Sequence, residues 1–322
     1  MHKEGLDLFN EQFAFRPKIM NRAKLRRKPR VIVCGMGGSH WAADLIKIIR
    51  PDVDLLIWNS YGLPKLPARE LRNRFIIVSS YSGNTEEPLS SFDEAKRNGF
   101  PLAAVAVGGA LLARAKKYRV PYVELPNYSI QPRMALGISF MALLTLMGDA
   151  KMLREAHKLR KLLRPRSYRA GGFALAKKLA GRVPLIYGSQ EFYALPYIWK
   201  IKINETGKFP AFANMLPELN HNEMTGFDMG KSAKKLARVF HALILAYGKD
   251  DPRIIRRGKV LQKLYRARGI KTDIVPVKGR TLLHAIFASL LLAEWTAYAL
   301  AIKYGAEPEQ VPMVEEFKKH IG

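Results

Sequence analysis

The chain has 322 residues, more than one ordinary domain uses, so two domains are the expectation. Its hydrophobic content of 48% is enough for real cores, and its single cysteine, Cys34, excludes an intramolecular disulfide framework. The net charge of +27 suits an anionic partner, yet the basic residues are spread over Lys18–Arg30, Arg154–Arg182 and Arg253–Lys271 rather than gathered in one tail.

Past an N-terminal helical segment, Val31–Cys34 reads as a short buried strand, with Cys34 an inert core thiol. Gly35-Met36-Gly37-Gly38-Ser39 follows, then apolar residues at helical spacing from Trp41 to Ile49. These glycines do not make a dinucleotide fingerprint, because His40 stands where G-x-G-x-x-G requires its last glycine. Asp54–Trp58, Phe75–Val78, Leu102–Val107 and Pro121–Leu125 are further short apolar runs, several of them separated by helix-like stretches. That alternation predicts α/β architecture, a parallel sheet with helices on both faces. Met134–Met147 reads as a buried apolar helix.

The run Phe75–Val78 leads into Ser79-Ser80-Tyr81-Ser82-Gly83-Asn84-Thr85-Glu86-Glu87, and a helix-like segment leads away. Backbone N–H groups at a helix N-terminus and the hydroxyls of Ser80, Ser82 and Thr85 can hold a phosphate without a lysine. An ordinary capped strand-to-helix turn has the same composition, and this segment alone does not separate the two readings.

The composition changes near residue 150. Lys151–Ala180 is helical and basic, is broken at Arg164-Pro165-Arg166-Ser167, and reads as an interdomain connection. Domains of 1–150 and 151–322 are therefore expected. In the second, Val183–Tyr187, Ala237–Ala246 and Thr272–Val277 read as strands, and Glu191–Ile203, Arg253–Arg268 and Leu282–Lys303 as helices. In the basic helices the leucines and isoleucines recur at helical spacing, so the charges there read as solvated faces. No zinc-finger or RNP-type signature accompanies them, and a nucleic-acid partner is not expected. Leu282–Ile302 is interrupted by His284 and Glu294 and reads as too polar to span a bilayer, and Met1–Gly5 opens no signal-peptide core. A cytoplasmic protein without a membrane partner is the expectation.

Glu205 follows a helix-like stretch and is the kind of carboxylate usually found at the surface. His221 lies in the polar segment Leu216-Pro217-Glu218-Leu219-Asn220-His221-Asn222-Glu223, where it could exchange protons near neutrality or simply cap a loop. No His or Cys stands beside it at ligand spacing, so no metal is expected.

Together these blocks resemble the sugar isomerase (SIS) superfamily, and specifically the bifunctional phosphoglucose/phosphomannose isomerases. The resemblance rests on Gly35–Ser39 with Ala43–Ile46, on Ser80–Glu86, on Pro132–Leu136, on Asn204-Glu205, on Leu216–Glu218 with His221-Asn222, and on the tail. It covers nearly the whole chain and implies two doubly wound SIS-type domains. It also implies an aldose–ketose isomerase that interconverts glucose 6-phosphate and fructose 6-phosphate, and also mannose 6-phosphate, without a cofactor. The Ser-Gly-Asn-Thr block alone is shared with isomerases of other phosphosugars and with non-catalytic sugar-phosphate sensors. By resemblance, Gly38, Ser39, Ser80, Ser82 and Thr85 hold the substrate phosphate, and Arg133 stabilises an enediolate. Glu205 moves the proton, His221 of a neighbouring subunit opens the sugar ring, and Lys318 returns to the site. A homodimer is therefore implied.

Two departures stand out. His40 replaces a small residue after Gly-Gly-Ser, where it can crowd the substrate or add a donor. Gln310-Val311-Pro312 carries Val311 where the family has a threonine associated with accepting the mannose epimer. Loss of that hydroxyl is expected to weaken mannose 6-phosphate turnover.

Overall fold

The computed structural model describes residues 2–321 and divides into two compact units, Lys3–Leu163 and the chain from Arg164 onward together with His2. The first carries β1 (Ile19–Met20), β2 (Arg30–Cys34), β3 (Leu55–Trp58), β4 (Arg74–Ser79), β5 (Leu102–Ala106) and β6 (Tyr122–Glu124). Its helices are α1 (His2–Asp7, apart from His2), α2 (Gly38–Ile49), α3 (Ala68–Arg72), α4 (Glu86–Arg97), α5 (Gly109–Lys117), α6 (Leu136–Met147) and α7 (Ala150–Leu162). Composition changes near residue 150, but packing keeps α7 in the first unit, against α6 and a 3-10 turn at Phe9–Ala14.

The six strands run in the order β1-β6-β5-β4-β2-β3, all parallel except β1, which pairs antiparallel with β6 at one edge. Alternate residues point to opposite faces of a strand. One face of the sheet, through Ile32, Cys34, Ile76, Val78, Ala104 and Ala106, packs on Phe92 and Ala95 of α4 and on Leu111 and Leu112 of α5. The residues between them, among them Val31, Val33, Phe75, Ile77 and Val105, are buried as well. Burial on both faces is why these strands read as unbroken apolar runs rather than alternating ones. Cys34 lies wholly inside, and burial pushes its thiol up to about 12.

The second unit carries β7 (Val183–Ser189), β8 (Phe212–Leu216), β9 (Phe240–Tyr247) and β10 (Lys271–Val277). Its helices are α8 (Arg169–Leu179), α9 (Ala194–Glu205), α10 (Lys234–Ala237), α11 (Pro252–Ala267), α12 (Leu282–Lys303) and α13 (Pro312–Ile321). The four-stranded sheet is parallel throughout, in the order β10-β9-β7-β8. Leu261 and Tyr265 of α11 pack on Leu185, Tyr187, Ala242 and Ile244, while α8 and α9 pack against α12.

Helix α12 meets the length and composition of a membrane span despite His284 and Glu294, with a mean hydropathy of 1.7 over its best window. Of that window 83% is buried inside the protein, which makes α12 the central helix of its unit. Strand β8 was not expected from the sequence. Its residues Phe212-Ala213-Asn214-Met215 are exposed or half-buried at the sheet edge, so no apolar run marks it.

Candidate active site

In the first unit the chain reverses its direction of travel across the sheet between β2 and β4. A ligand in an open α/β sheet binds outside the carboxyl ends of the strands at such a switch point. The turns that leave these two ends are Gly35–Ser39 and Ser80–Thr85, so the two segments singled out in the sequence meet there. Ser79 Oγ donates to the Ser39 carbonyl at 2.9 Å, and the Tyr81 N–H donates to Ser39 Oγ at 2.9 Å. Gly35 permits this approach, because a Cβ on it would stand 2.8 Å from the Ser79 carbonyl oxygen.

Within the second turn, Ser80 Oγ lies 3.1 Å from Thr85 Oγ1 and accepts the Gly83 N–H at 3.2 Å. The Asn84 N–H donates to Ser82 Oγ at 3.3 Å. The Thr85 side chain makes no capping bond to α4, so its hydroxyl faces Ser80 instead. One proton of the hydroxyl pair serves the bond between them, and the other remains to donate to an anion. The N-terminus of α4 favours negative charge at the same place. Glu86 in that first turn is engaged elsewhere, accepting from the Tyr61 hydroxyl at 3.2 Å.

The turn is held open from below by residues that the sequence reading passed over. Val107 N–H donates to the Tyr81 carbonyl, Leu111 N–H to the Gly83 carbonyl, and Ala110 N–H to Asn84 Oδ1, each at 2.9 Å. Gly109 makes room for this contact: a Cβ on it would stand 2.5 Å from the Ser82 carbonyl oxygen and 2.6 Å from Asn84 Oδ1. The signal was present as a Gly-Gly pair ending an apolar run, but its partner lies far away in sequence.

Arg133 is 2% exposed and sits in a 3-10 turn, Pro132–Met134. That turn lies against the start of α2. A Cβ on Gly38 would be 2.9 Å from the Pro132 carbonyl oxygen and 3.1 Å from the Arg133 nitrogen. Gly38 therefore brings the backbone of Arg133 beside the Ser39 turn. Buried Gln12 fixes the other side: its Nε2 donates to the Met134 carbonyl at 2.7 Å, and its Oε1 accepts the Gly137 N–H at 2.8 Å. His40 is buried rather than facing outward, with Nδ1 2.5 Å from Asp44 Oδ2 one turn along α2.

In the second unit Glu205 is the last residue of α9 and is half-buried, contrary to the surface carboxylate that its type suggests. His221 ends a 3-10 turn, Glu218–His221, entered through a cis Leu216–Pro217 bond, and is exposed. Glu223, two residues on, accepts from Tyr187 Oη on β7 and from Asn214 Nδ2 on β8. Burial, reinforced by Tyr265 and Glu223, raises the Tyr187 hydroxyl far above its ordinary range. Glu205 precedes β8 and His221 follows it, so the two lie beyond opposite ends of that edge strand. The five residues of β8 alone span roughly 15 Å at about 3.3 Å each. One copy of this unit does not bring them together. Lys318 lies exposed on α13, paired with Glu315 at 2.8 Å, and Val311 precedes that helix, half-buried.

Among the described residues, no group of three or more His, Cys, Asp and Glu side chains could hold a metal ion. A cavity of about 310 Å³ beside Glu4, Leu8, Gln12 and Tyr128 includes none of the cradle residues among its walls.

A family model of the bacterial phospho-glucose isomerase C-terminal SIS domain matches residues 172–321. The bifunctional phosphoglucose/phosphomannose isomerase of Aquifex aeolicus (strain VF5) is 30% identical over 295 residues, covering 90% of this chain and 90% of its own. The chain belongs to the bifunctional phosphoglucose/phosphomannose isomerase family. The Thermoplasma volcanium member is 29% identical over 300 residues, covering 92% of this chain and 93% of its own. A crystal structure of glucosamine-6-phosphate deaminase from Thermotoga maritima aligns with a TM-score of 0.69 over 97% of this chain and 96% of its own. At 14% identity that likeness speaks to the SIS fold alone.

Proposed function

We propose that the protein is an aldose–ketose isomerase that interconverts glucose 6-phosphate, fructose 6-phosphate and, more slowly, mannose 6-phosphate. The observation that carries the reading is the neutral hydroxyl and amide cradle of Ser39, Ser80, Ser82 and Thr85 at the switch point of the first unit, in a chain related to these isomerases over nine-tenths of its length.

The chemistry follows from the residue types. The phosphate is held by Gly38, Ser39, Ser80, Ser82 and Thr85, and its binding energy orients the reacting end of the sugar. With the chain open, Glu205 as carboxylate takes the proton from C2. The electron pair forms a C1–C2 double bond and the carbonyl oxygen O1 becomes an oxyanion. Arg133, with its fixed guanidinium fork, stabilises that charge. Glu205 then returns the proton to C1, O2 becomes the ketose carbonyl and its proton passes to O1. The reaction is an internal redox exchange between two carbons, so it needs no external oxidant or reductant.

His221 opens the ring. Because it lies across β8 from Glu205, it serves the site of a second copy, which supports a homodimer. Lys318 joins the site through α13. The reading places the enzyme in the cytoplasm, at the glucose 6-phosphate step shared by glycolysis and gluconeogenesis. A turnover assay of the purified protein with glucose, mannose and glucosamine 6-phosphates in the presence of EDTA tests it. Conversion of glucose 6-phosphate to fructose 6-phosphate is expected; turnover of glucosamine 6-phosphate alone would overturn the assignment.

A further inference from the structure

Glu205 ends α9, and the residues around it are tied to one carboxylate on α12. Glu294 is 2% exposed. Its Oε2 accepts from Lys202 Nζ, itself 2% exposed, and its Oε1 accepts from Thr206 Oγ1 at 2.8 Å. His2 Nε2 lies 3.1 Å from the same Oε1. Burial alone would push this carboxyl up; the Lys202 ammonium and His2 overcome it and hold the group below the usual carboxylate range.

Lys202 and Thr206 flank Glu205 within one helical turn. The same turn is fixed at further points. Thr206 N–H and Gly207 N–H both donate to the Lys202 carbonyl, at 2.9 and 3.2 Å. A Cβ on Gly207 would stand 2.5 Å from the Ile203 carbonyl oxygen and 3.3 Å from that of Ala297 on α12, so α12 approaches as closely as glycine allows. Lys208, in the left-handed region at φ 50°, turns its ammonium back to the Glu205 carbonyl.

A buried ion pair is not by itself an argument for stability. Burying two charges costs several kcal/mol per ion in real proteins, and well-packed apolar residues of similar volume often hold two helices together as well or better. The neighbours are already apolar: Ile198, Trp199 and Ile203 on α9, Ala293, Ala297 and Leu300 on α12. What an ion pair with a second, directional bond to Thr206 adds is one rotational and axial setting of the helix end.

We propose that Glu294 is a positioning residue for the isomerisation: through Lys202 and Thr206 it sets the end of α9 and so the placement of the Glu205 carboxylate. The inference rests on the assignment of Glu205 as the base. A displacement on the order of 1 Å can cost about a hundredfold in rate when proton transfer depends on alignment. Phosphate binding would hardly change, because its ligands lie in the other unit.

The test uses the full-length enzyme. Thr206→Val exchanges the hydroxyl for a methyl group of similar size, and Lys202→Met with Glu294→Met replaces the ion pair by apolar volume. Thr206→Val is expected to lower kcat about tenfold with KM within twofold, and Thr206→Ser to restore it. The double variant is expected to remain folded while kcat falls ten- to a hundredfold. Wild-type kcat in Thr206→Val, or in a folded double variant, overturns the proposal, and Thr206→Val decides if the double variant does not fold. Glu205→Gln is measured alongside. Full activity there removes the base assignment itself, whereas an inactive Glu205→Gln with a fully active Thr206→Val removes only the positioning role.

Discussion

Gly83 and Gly108 touch backbone to backbone: a Cβ on Gly83 would lie 2.0 Å from the Gly108 carbonyl oxygen. Gly83 also has φ 78°, in the left-handed region that favours glycine. This contact lets the turn after β4 rest on the turn after β5, so the rigidity of the cradle depends on Gly83, a residue that bears no functional group. Gly83→Ala is expected to cost roughly 1–2 kcal/mol from the backbone conformation alone, and more from the displaced carbonyl. A thermal melt lowered by several degrees with kcat/KM down more than tenfold is the expected outcome. A variant with unchanged melt and kinetics would show that the turn rearranges freely.

Ser80→Ala removes a hydroxyl that accepts the Gly83 N–H and pairs with Thr85. One such bond contributes about 1 kcal/mol net, and contacts to a charged group about 1.5–3 kcal/mol. Steady-state kinetics on glucose 6-phosphate should show kcat/KM reduced about tenfold or more. Inorganic phosphate should also inhibit the variant less strongly than the wild type.

The five parallel strands of the first unit and both cradle turns were legible in the sequence because they are local: an apolar run, a Gly/Ser turn and a helical spacing occupy adjacent residues, whereas the two-residue β1 was not. What was hidden is what spans long separations. Lys202 reads as one more solvated charge in a basic chain, and Glu294 as an interruption of an apolar helix; each is explained only by the other, 92 residues away. Gln12 lies in a segment with no motif, yet it pins the turn that carries Arg133 from 122 residues away. Strand β8 lacks an apolar run because it is an edge, and it is the element that separates Glu205 from His221. His40, which the sequence offers as crowding the substrate or adding a donor, pairs through Nδ1 with Asp44, four residues on, a partner the sequence reading did not name.

Val311→Thr introduces the hydroxyl that the resemblance implies before this proline. If that hydroxyl contributes about 1 kcal/mol to the mannose epimer's transition state, the ratio of mannose to glucose 6-phosphate turnover should rise about fivefold. Comparable turnover of the two epimers by the unaltered enzyme would remove Val311 from specificity.

Stability should depend on pH through His241. Burial lowers its pKa from the ordinary value, although Asp273, 3.0 Å from Nε2, pulls the other way. A depressed folded-state pKa means that the unfolded chain binds the proton first. The stabilisation is therefore complete above the unfolded value of about 6.5 and is lost as pH falls through the folded value. His284 is lowered in the same direction, by burial and by Arg280. Denaturant midpoints should fall between pH 7.5 and 5, and His241→Asn should flatten part of that slope. A midpoint that rises on acidification would contradict the buried, neutral state of His241.

The central claim is that Glu205 carries a proton between C1 and C2 through an enediolate. Incubating glucose 6-phosphate with the enzyme in deuterated water and following the C2 hydrogen by proton NMR tests it most directly. The account predicts deuterium at C2 in the recovered aldose, with exchange slowed at least a thousandfold, as an order of magnitude, in Glu205→Gln. Isomerisation with no solvent deuterium incorporated, or exchange at the wild-type rate in Glu205→Gln, would contradict it.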